Sequence, residues 1–211
     1  MIRIMEPGKL ALAVMASGRG SNFDAICAAI DRNELNAQVK IVVSDKEAPV
    51  LDKARQRGIP ALHIDPSEYK NKSDYEKVII EKIREHGAGL VVLAGYMRLV
   101  GTELLHGFKM RVINIHPALL PSFTGLHAQK QAVDYGVRYS GCTVHLVDEG
   151  MDTGPIILQK MVPVYQEDDE ESLSERILVE EHDTYWRALQ LIAEGRVYVE
   201  GRKVFIKEEI A

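Results

Sequence analysis

Asn114 and His116 are the residues of this 211-residue chain whose types and spacing point most clearly to chemistry. They lie two positions apart in the stretch INIHPALLP, residues 113–121, which begins as an apolar run and ends in prolines that cannot continue a central strand. Neighbours at this spacing in a strand point to the same face. An amide that binds a carbonyl oxygen and an imidazole that carries a proton suit attack on an acyl carbon. A histidine that makes only structural hydrogen bonds is the alternative interpretation.

A glycine-rich loop after the first predicted strand is a candidate phosphate site. The loop SGRGSN, residues 17–22, leads into a predicted helix, so the backbone N–H groups of Gly20, Ser21 and Asn22 can face an anion. Phe23 replaces the third glycine of a dinucleotide fingerprint, and a Walker-type Gly-Lys-Ser/Thr is missing. The pattern therefore favours a phosphate monoester. A tight turn in which Ser21 or Asn22 caps the helix is the alternative.

Other polar residues offer support to these two sites. Asp148, Glu149 and Asp152 crowd one loop, and a carboxylate beside the imidazole would favour its charged form, although the spacing does not say which acid reaches it. The same acids are hard metal ligands, but their spacing fits no EF-hand loop, so we expect no metal. His127 and His145 are candidates for a supporting layer around the site.

Two further charged residues could serve either a ligand or the protein surface. Arg98 follows the predicted central strand and suits either an anionic or planar ligand or a surface ion pair. Glu181, in the sequence Glu180-Glu181-His182, falls within the predicted last helix, where carboxylates are usually solvated.

Strand-like and helix-like segments alternate along the chain, which predicts an α/β fold with a doubly wound, mostly parallel sheet and an antiparallel C-terminal extension. Ser73 and Glu76 have the spacing of a capping box at the start of the third helix. The predicted strands are residues 10–16, 39–43, 61–64, 90–94, 112–116, 142–147 and 155–164, with a hairpin over 197–206. The predicted helices are residues 23–32, 48–57, 74–86, 102–106, 126–135 and 172–194.

Composition bounds the class of protein. Hydrophobic residues make up 46% and charged residues 27%, which is ordinary for one globular domain with a proper core. A net charge of −5 argues against a nucleic-acid partner, and no apolar run is long enough to span a membrane. Cys27 and Cys142 form no metal or disulfide pattern, so we expect a buried thiol at Cys27 and a cytoplasmic protein. A homodimer is left open.

Four stretches, in this order, carry a family resemblance: SGRGSN, LAGYMRLV, INIHPALLP and GMDTGPI. Together they resemble the glycinamide ribonucleotide transformylase family, folate-dependent formyltransferases of purine synthesis, from the first strand to the last long helix. The resemblance implies a single domain, residues 1–211, with a mononucleotide-binding half over about 1–108 and a folate-binding, catalytic half over about 109–211. It also implies transfer of the formyl group of 10-formyltetrahydrofolate, as co-substrate, to the amine of glycinamide ribonucleotide, without a metal.

The resemblance also assigns roles residue by residue. It makes Asn114, His116 and Asp152 the catalytic residues, Gly20, Ser21 and Asn22 the phosphate loop, and Glu181 the ribose ligand. The implied folate-binding residues are Lys72, Met97, Arg98, Leu99, Val100, Asn114, Asp148, Glu149, Gly150, Met151 and Asp152. Two departures, Ala118 for a common Ser and Thr124 for a common Pro, lie in the loop after the catalytic strand.

Rival functions differ in what they require of the chain. A formyltetrahydrofolate hydrolase usually carries an extra amino-terminal regulatory domain and a methionyl-tRNA formyltransferase an extra carboxyl-terminal domain, and this length leaves no residues for either. A serine hydrolase would need a GxSxG elbow, which the sequence lacks. A nucleotide-binding regulatory or redox module could share the doubly wound core, and a test of NAD binding would distinguish such a module from a formyltransferase.

Overall fold

The protein is described by a computed structural model over residues 1–208. Its strands are β1 (Ile2–Arg3), β2 (Leu10–Met15), β3 (Ala37–Ser44), β4 (Ala61–His63), β5 (Leu90–Leu93), β6 (Val112–His116), β7 (Tyr139–Leu146), β8 (Ile156–Pro163), β9 (Val197–Glu200) and β10 (Lys203–Ile206). Its helices are α1 (Ser21–Asp31), α2 (Pro49–Gln56), α3 (Lys72–Glu85), α4 (Thr102–Gly107), α5 (Ala128–Tyr135) and α6 (Glu170–Ala193).

The central sheet has the strand order β4-β3-β2-β5-β6-β7-β8. The first five strands of that order run parallel, β7 pairs antiparallel with β6, and β8 pairs antiparallel with β7. Strands β1, β9 and β10 form a separate small antiparallel sheet. The mostly parallel α/β sheet and the antiparallel C-terminal extension are both confirmed.

Helices cover both faces of the sheet, because β2 and β5 are apolar on both sides. On β2, Leu12 and Val14 pack into the core that α1, α2 and α6 share, whereas Ala13 and Met15 pack toward α3 and α4. Strand β5 is buried along its whole length, as a central parallel strand should be. This doubly wound packing leaves the carboxyl ends of the strands as the place where loops gather.

Local structure departs from the sequence predictions beyond shifts of one to three residues at element ends. Asn71, not Ser73, caps α3, and its side chain accepts the Asp74 backbone N–H. Helix α5 begins at Ala128, because His127 before it has a left-handed backbone. The two residues of β1 carry no periodic signal, and that strand was not predicted.

The single seven-stranded sheet draws its strands from both predicted halves of the chain, and the functional division at about residue 108 stays a prediction. Across residues 1–208, no helix is both long and apolar enough to cross a bilayer.

Candidate functional site

Three parallel strands bring the predicted residues to one edge of the sheet. Strand β5 lies between β2 and β6, so all three carboxyl ends meet there. Two strand spacings separate the ends of β2 and β6, roughly 10 Å. The glycine-rich loop follows β2, and Asn114 and His116 end β6.

His116 lies between a carboxylate and a carbonyl group. Its Nδ1 is 3.4 Å from an Asp152 carboxylate oxygen, and its Nε2–H donates to the Phe123 carbonyl oxygen at 2.8 Å. The ring is almost fully buried. Both ring nitrogens therefore face oxygen atoms. Asp152 is thus the acid of its loop that reaches the imidazole.

Asp152 is held by an unusual backbone conformation. Its φ is +54°, in the left-handed region, and its carboxylate accepts the Gly125 backbone N–H at 2.8 Å. Asp148 closes the same loop by accepting the Gly150 N–H and the Thr153 hydroxyl. The carboxylate is therefore aimed at the ring by the fold of its own loop.

Asn114 is oriented by a second histidine. Its Nδ2 amide donates to His145 Nε2 at 3.2 Å, and His145 Nδ1–H donates to the Leu146 carbonyl oxygen at 2.8 Å. Burial lowers the pKa of His145, so its ring stays neutral and Nε2 remains an acceptor. His145 was expected in a supporting layer; its partner was not foreseen.

The glycine-rich loop opens α1 without help from a capping side chain in the described part of the chain. Gly20 is the N-cap, with φ +75°, and a Cβ there would lie 2.6 Å from a Val50 methyl carbon. Only glycine fits this position without strain. The alternative that Ser21 or Asn22 caps the helix is not what the structure shows, and the first N–H groups of α1 are left for another acceptor.

Glu181 is buried, against the expectation that it is solvated. It is 7% exposed, and one carboxylate oxygen accepts the Asn22 side-chain N–H at 2.9 Å. Burial raises the pKa of Glu181. The Asn22 side-chain oxygen is also buried and has no partner within residues 1–208. An acceptor-rich pair beside the glycine-rich loop suits a ligand that brings hydroxyl donors.

The segment after β5 presents apolar side chains at the same edge. Met97 and Leu99 are 62% and 63% exposed, and Val100 is half-buried. The Met97 N–H donates to the Ser17 hydroxyl, which in turn donates to Asp45. Ser17, which the sequence did not single out, therefore ties this segment to the glycine-rich loop.

The two basic residues predicted near the folate lie beside this segment. The Arg98 guanidinium lies over the Tyr75 ring, 5.8 Å from its centre, and forms no ion pair within residues 1–208. Lys72 Nζ is 4.0 Å from the carboxylate of Glu76, which accepts the Gly101 N–H. Glu76 holds the far end of the segment, and its sequence spacing had suggested only a capping box.

The remaining predicted residues lie in the Asp152 loop or outside the site. Glu149, Gly150 and Met151 are exposed on the loop that carries Asp152. His127 Nδ1 lies 3.0 Å from a Glu170 carboxylate oxygen, so this histidine contacts Glu170 instead of supporting the site. No cluster of metal-ligating side chains occurs within residues 1–208.

The chain is similar in sequence and structure to known proteins. Residues 10–189 match the family described as Formyl transferase. A phosphoribosylglycinamide formyltransferase of Bacillus subtilis is 46% identical over 82% of this chain and 89% of its own. A glycinamide ribonucleotide transformylase structure from Symbiobacterium toebii is 45% identical and covers 95% of each chain with a TM-score of 0.93. The human trifunctional purine biosynthetic protein adenosine-3 is 41% identical over 97% of this chain, which spans 20% of that relative. This chain belongs to the formyl transferase family.

Proposed function

We infer that this chain transfers the formyl group of 10-formyltetrahydrofolate to the amine of glycinamide ribonucleotide. The products are formylglycinamide ribonucleotide and tetrahydrofolate, a step of purine biosynthesis. The observation that carries this function is the convergence of Asn114, His116 and Asp152 roughly two strand spacings from a loop suited to a phosphate. The identities to phosphoribosylglycinamide formyltransferases support the same substrates.

We propose that the phosphoribosyl part of the substrate binds at the start of α1. Its phosphate would accept N–H groups from Gly20 to Asn22, where the helix dipole favours negative charge. Its ribose hydroxyls would donate to Glu181, which has only the Asn22 amide as a partner within residues 1–208. The amine then extends from the end of β2 toward the end of β6. A ribose with a short amide arm is long enough to span the roughly 10 Å between these strand ends.

The folate would lie along the apolar segment at the carboxyl end of β5. Met97 and Leu99 offer a surface for a flat ring, and Arg98 and Lys72 offer positive charge near the acidic tail. The loop over residues 148–152 would close the other side of the ring.

At the reacting carbon, Asn114 and His116 would stabilise the oxyanion. As the amine nitrogen forms its bond to the formyl carbon, the oxygen accepts from the Asn114 amide and from His116 Nε2–H, replacing the Phe123 carbonyl. A donor of this kind contributes about 3–4 kcal/mol to the transition state. The bond from the carbon to the folate nitrogen then breaks. Asp152 helps move one proton from the attacking nitrogen to that leaving nitrogen.

A steady-state assay tests the function. The purified chain should form tetrahydrofolate only when both 10-formyltetrahydrofolate and glycinamide ribonucleotide are present. Release of formate at the same rate without the amine would instead make the protein a hydrolase.

We place the reaction in the cytoplasm, where reduced thiols persist. Cys27 and Cys142 are free and buried, and burial raises the pKa of Cys27 to about 11 and that of Cys142 to about 12. The proposed partners are two small molecules, with neither nucleic acid nor membrane. A homodimer stays a prediction, which sedimentation equilibrium would check.

A further inference from the structure

Strand β7 places one polar residue opposite each member of the Asn-x-His pair. In the antiparallel pairing of β6 and β7, Asn114 lies opposite His145 and His116 lies opposite Thr143. Directly paired residues share a face of the sheet, with Cβ atoms about 4.5–5.5 Å apart. His145 has its task in orienting Asn114, and Thr143 has none in the proposed reaction.

The Thr143 hydroxyl binds the base of the loop that follows His116. It donates to the Ala118 carbonyl oxygen at 2.7 Å and accepts the Leu120 N–H at 3.0 Å. The residue is fully buried. Both backbone groups therefore depend on this hydroxyl, since water does not reach them.

Gln159 completes the contact from the next strand. It lies opposite Thr143 in the pairing of β7 and β8. Its side-chain amide donates to the Thr143 hydroxyl at 3.0 Å and to the Leu120 carbonyl oxygen at 2.9 Å. His116, Thr143 and Gln159 thus form one row across three strands. Thr143 and Gln159 both bind residues 118–121, which we call the loop base.

We propose that Thr143, assisted by Gln159, is a positioning residue for His116. By fixing the loop base, the pair sets where the Phe123 carbonyl meets His116 Nε2 and hence the plane of the imidazole ring. In the proposed reaction the formyl oxygen replaces that carbonyl at His116 Nε2. The kinetic consequence of this inference rests on the proposed function, whereas the ring geometry does not.

The test compares Thr143→Val with Thr143→Ser. Valine keeps the shape of the side chain and removes its hydroxyl, so kcat should fall at least tenfold while KM for glycinamide ribonucleotide stays within twofold. Serine restores the hydroxyl and should recover kcat to within threefold. Ser140→Ala is the matched control, because Ser140 is a buried hydroxyl on the same strand with no partner within residues 1–208.

Nitrogen NMR of the His116 ring supplies a readout independent of turnover. The Nε2–H signal of the wild type should move or broaden in Thr143→Val and return in Thr143→Ser. If Thr143→Val does not fold, Gln159→Met, at an exposed position, should lower kcat at least threefold and move the same signal.

Wild-type kcat and an unmoved ring signal in Thr143→Val, or in Gln159→Met where the valine variant fails to fold, would overturn the proposal. A wild-type chain without formyl transfer would refute the proposed function, and the ring signal would still decide the positioning role.

Discussion

At the scale of single residues, His145 decides how the Asn114 amide points. Its Nε2 accepts one amide N–H, and under the proposed function the other amide N–H donates to the formyl oxygen. His145→Phe should lower kcat about 10- to 100-fold, because a misdirected oxyanion donor loses most of its value. Steady-state kinetics checks this, and a kcat within twofold of wild type would speak against the orienting role.

The pH dependence of stability gives a second check on His145. Since burial lowers its pKa from 6.5, the unfolded chain takes up a proton that the folded chain refuses as pH falls through 6.5. The wild type should lose more free energy of unfolding between pH 8 and pH 5.5 than His145→Phe does. Urea denaturation at both pH values measures the difference, and equal losses would contradict it.

Glu181 gives stability the opposite pH dependence. Its pKa is raised in the fold, so the stability present below 4.5 is lost as pH rises through the folded pKa and the buried carboxylate becomes charged. Glu181→Gln removes that loss and should be more stable than the wild type at pH 8 but not at pH 4. Thermal or urea unfolding at the two pH values checks the crossover.

The same variant should bind glycinamide ribonucleotide about 10- to 100-fold more weakly, because charge-assisted hydrogen bonds to the ribose are lost. Isothermal titration calorimetry measures this affinity. A variant that gains stability and keeps wild-type affinity would remove Glu181 from the substrate site.

At the scale of elements, the C-terminal hairpin of β9 and β10 reaches the loop that carries Asp152. It lies beyond residue 189, where the family match ends, yet Arg202 donates to the Thr153 carbonyl oxygen at 2.6 Å. Arg202→Ala should lower kcat about fivefold, as expected for one partly exposed hydrogen bond next to Asp152. Lys203→Ala, at the neighbouring exposed position, is the control. Equal kcat values for the two variants would rule out a contribution of this hydrogen bond to turnover.

The elements themselves were largely predictable, and the exceptions have local causes. Apolar runs such as Leu90–Leu93 and the long amphipathic α6 carry strong periodic signals. The cap of α3 was misassigned because Asn71 and Ser73 are both good caps and only the backbone path selects between them. Strand β1 exists only because β9 pairs with it, and two residues hold no pattern of their own.

At the scale of the whole molecule, the site is built from segments that lie far apart in the sequence. This limits how much of it can be predicted from sequence. The Asn-x-His spacing and the glycine-rich loop were readable locally. Which acid reaches His116 depends on the left-handed backbone of Asp152, and the burial of Glu181 depends on how α6 packs against α1. Neither is a property of a short window of sequence.

Under the proposed function, one sheet edge keeps reaction and phosphate binding on separate strands, and His116 serves only the reaction. His116→Ala should therefore lower kcat at least 10³-fold while calorimetry gives a Kd for glycinamide ribonucleotide within about threefold of wild type. Near-normal turnover in His116→Ala, or loss of glycinamide ribonucleotide binding along with turnover in a folded variant, would contradict this separation of roles.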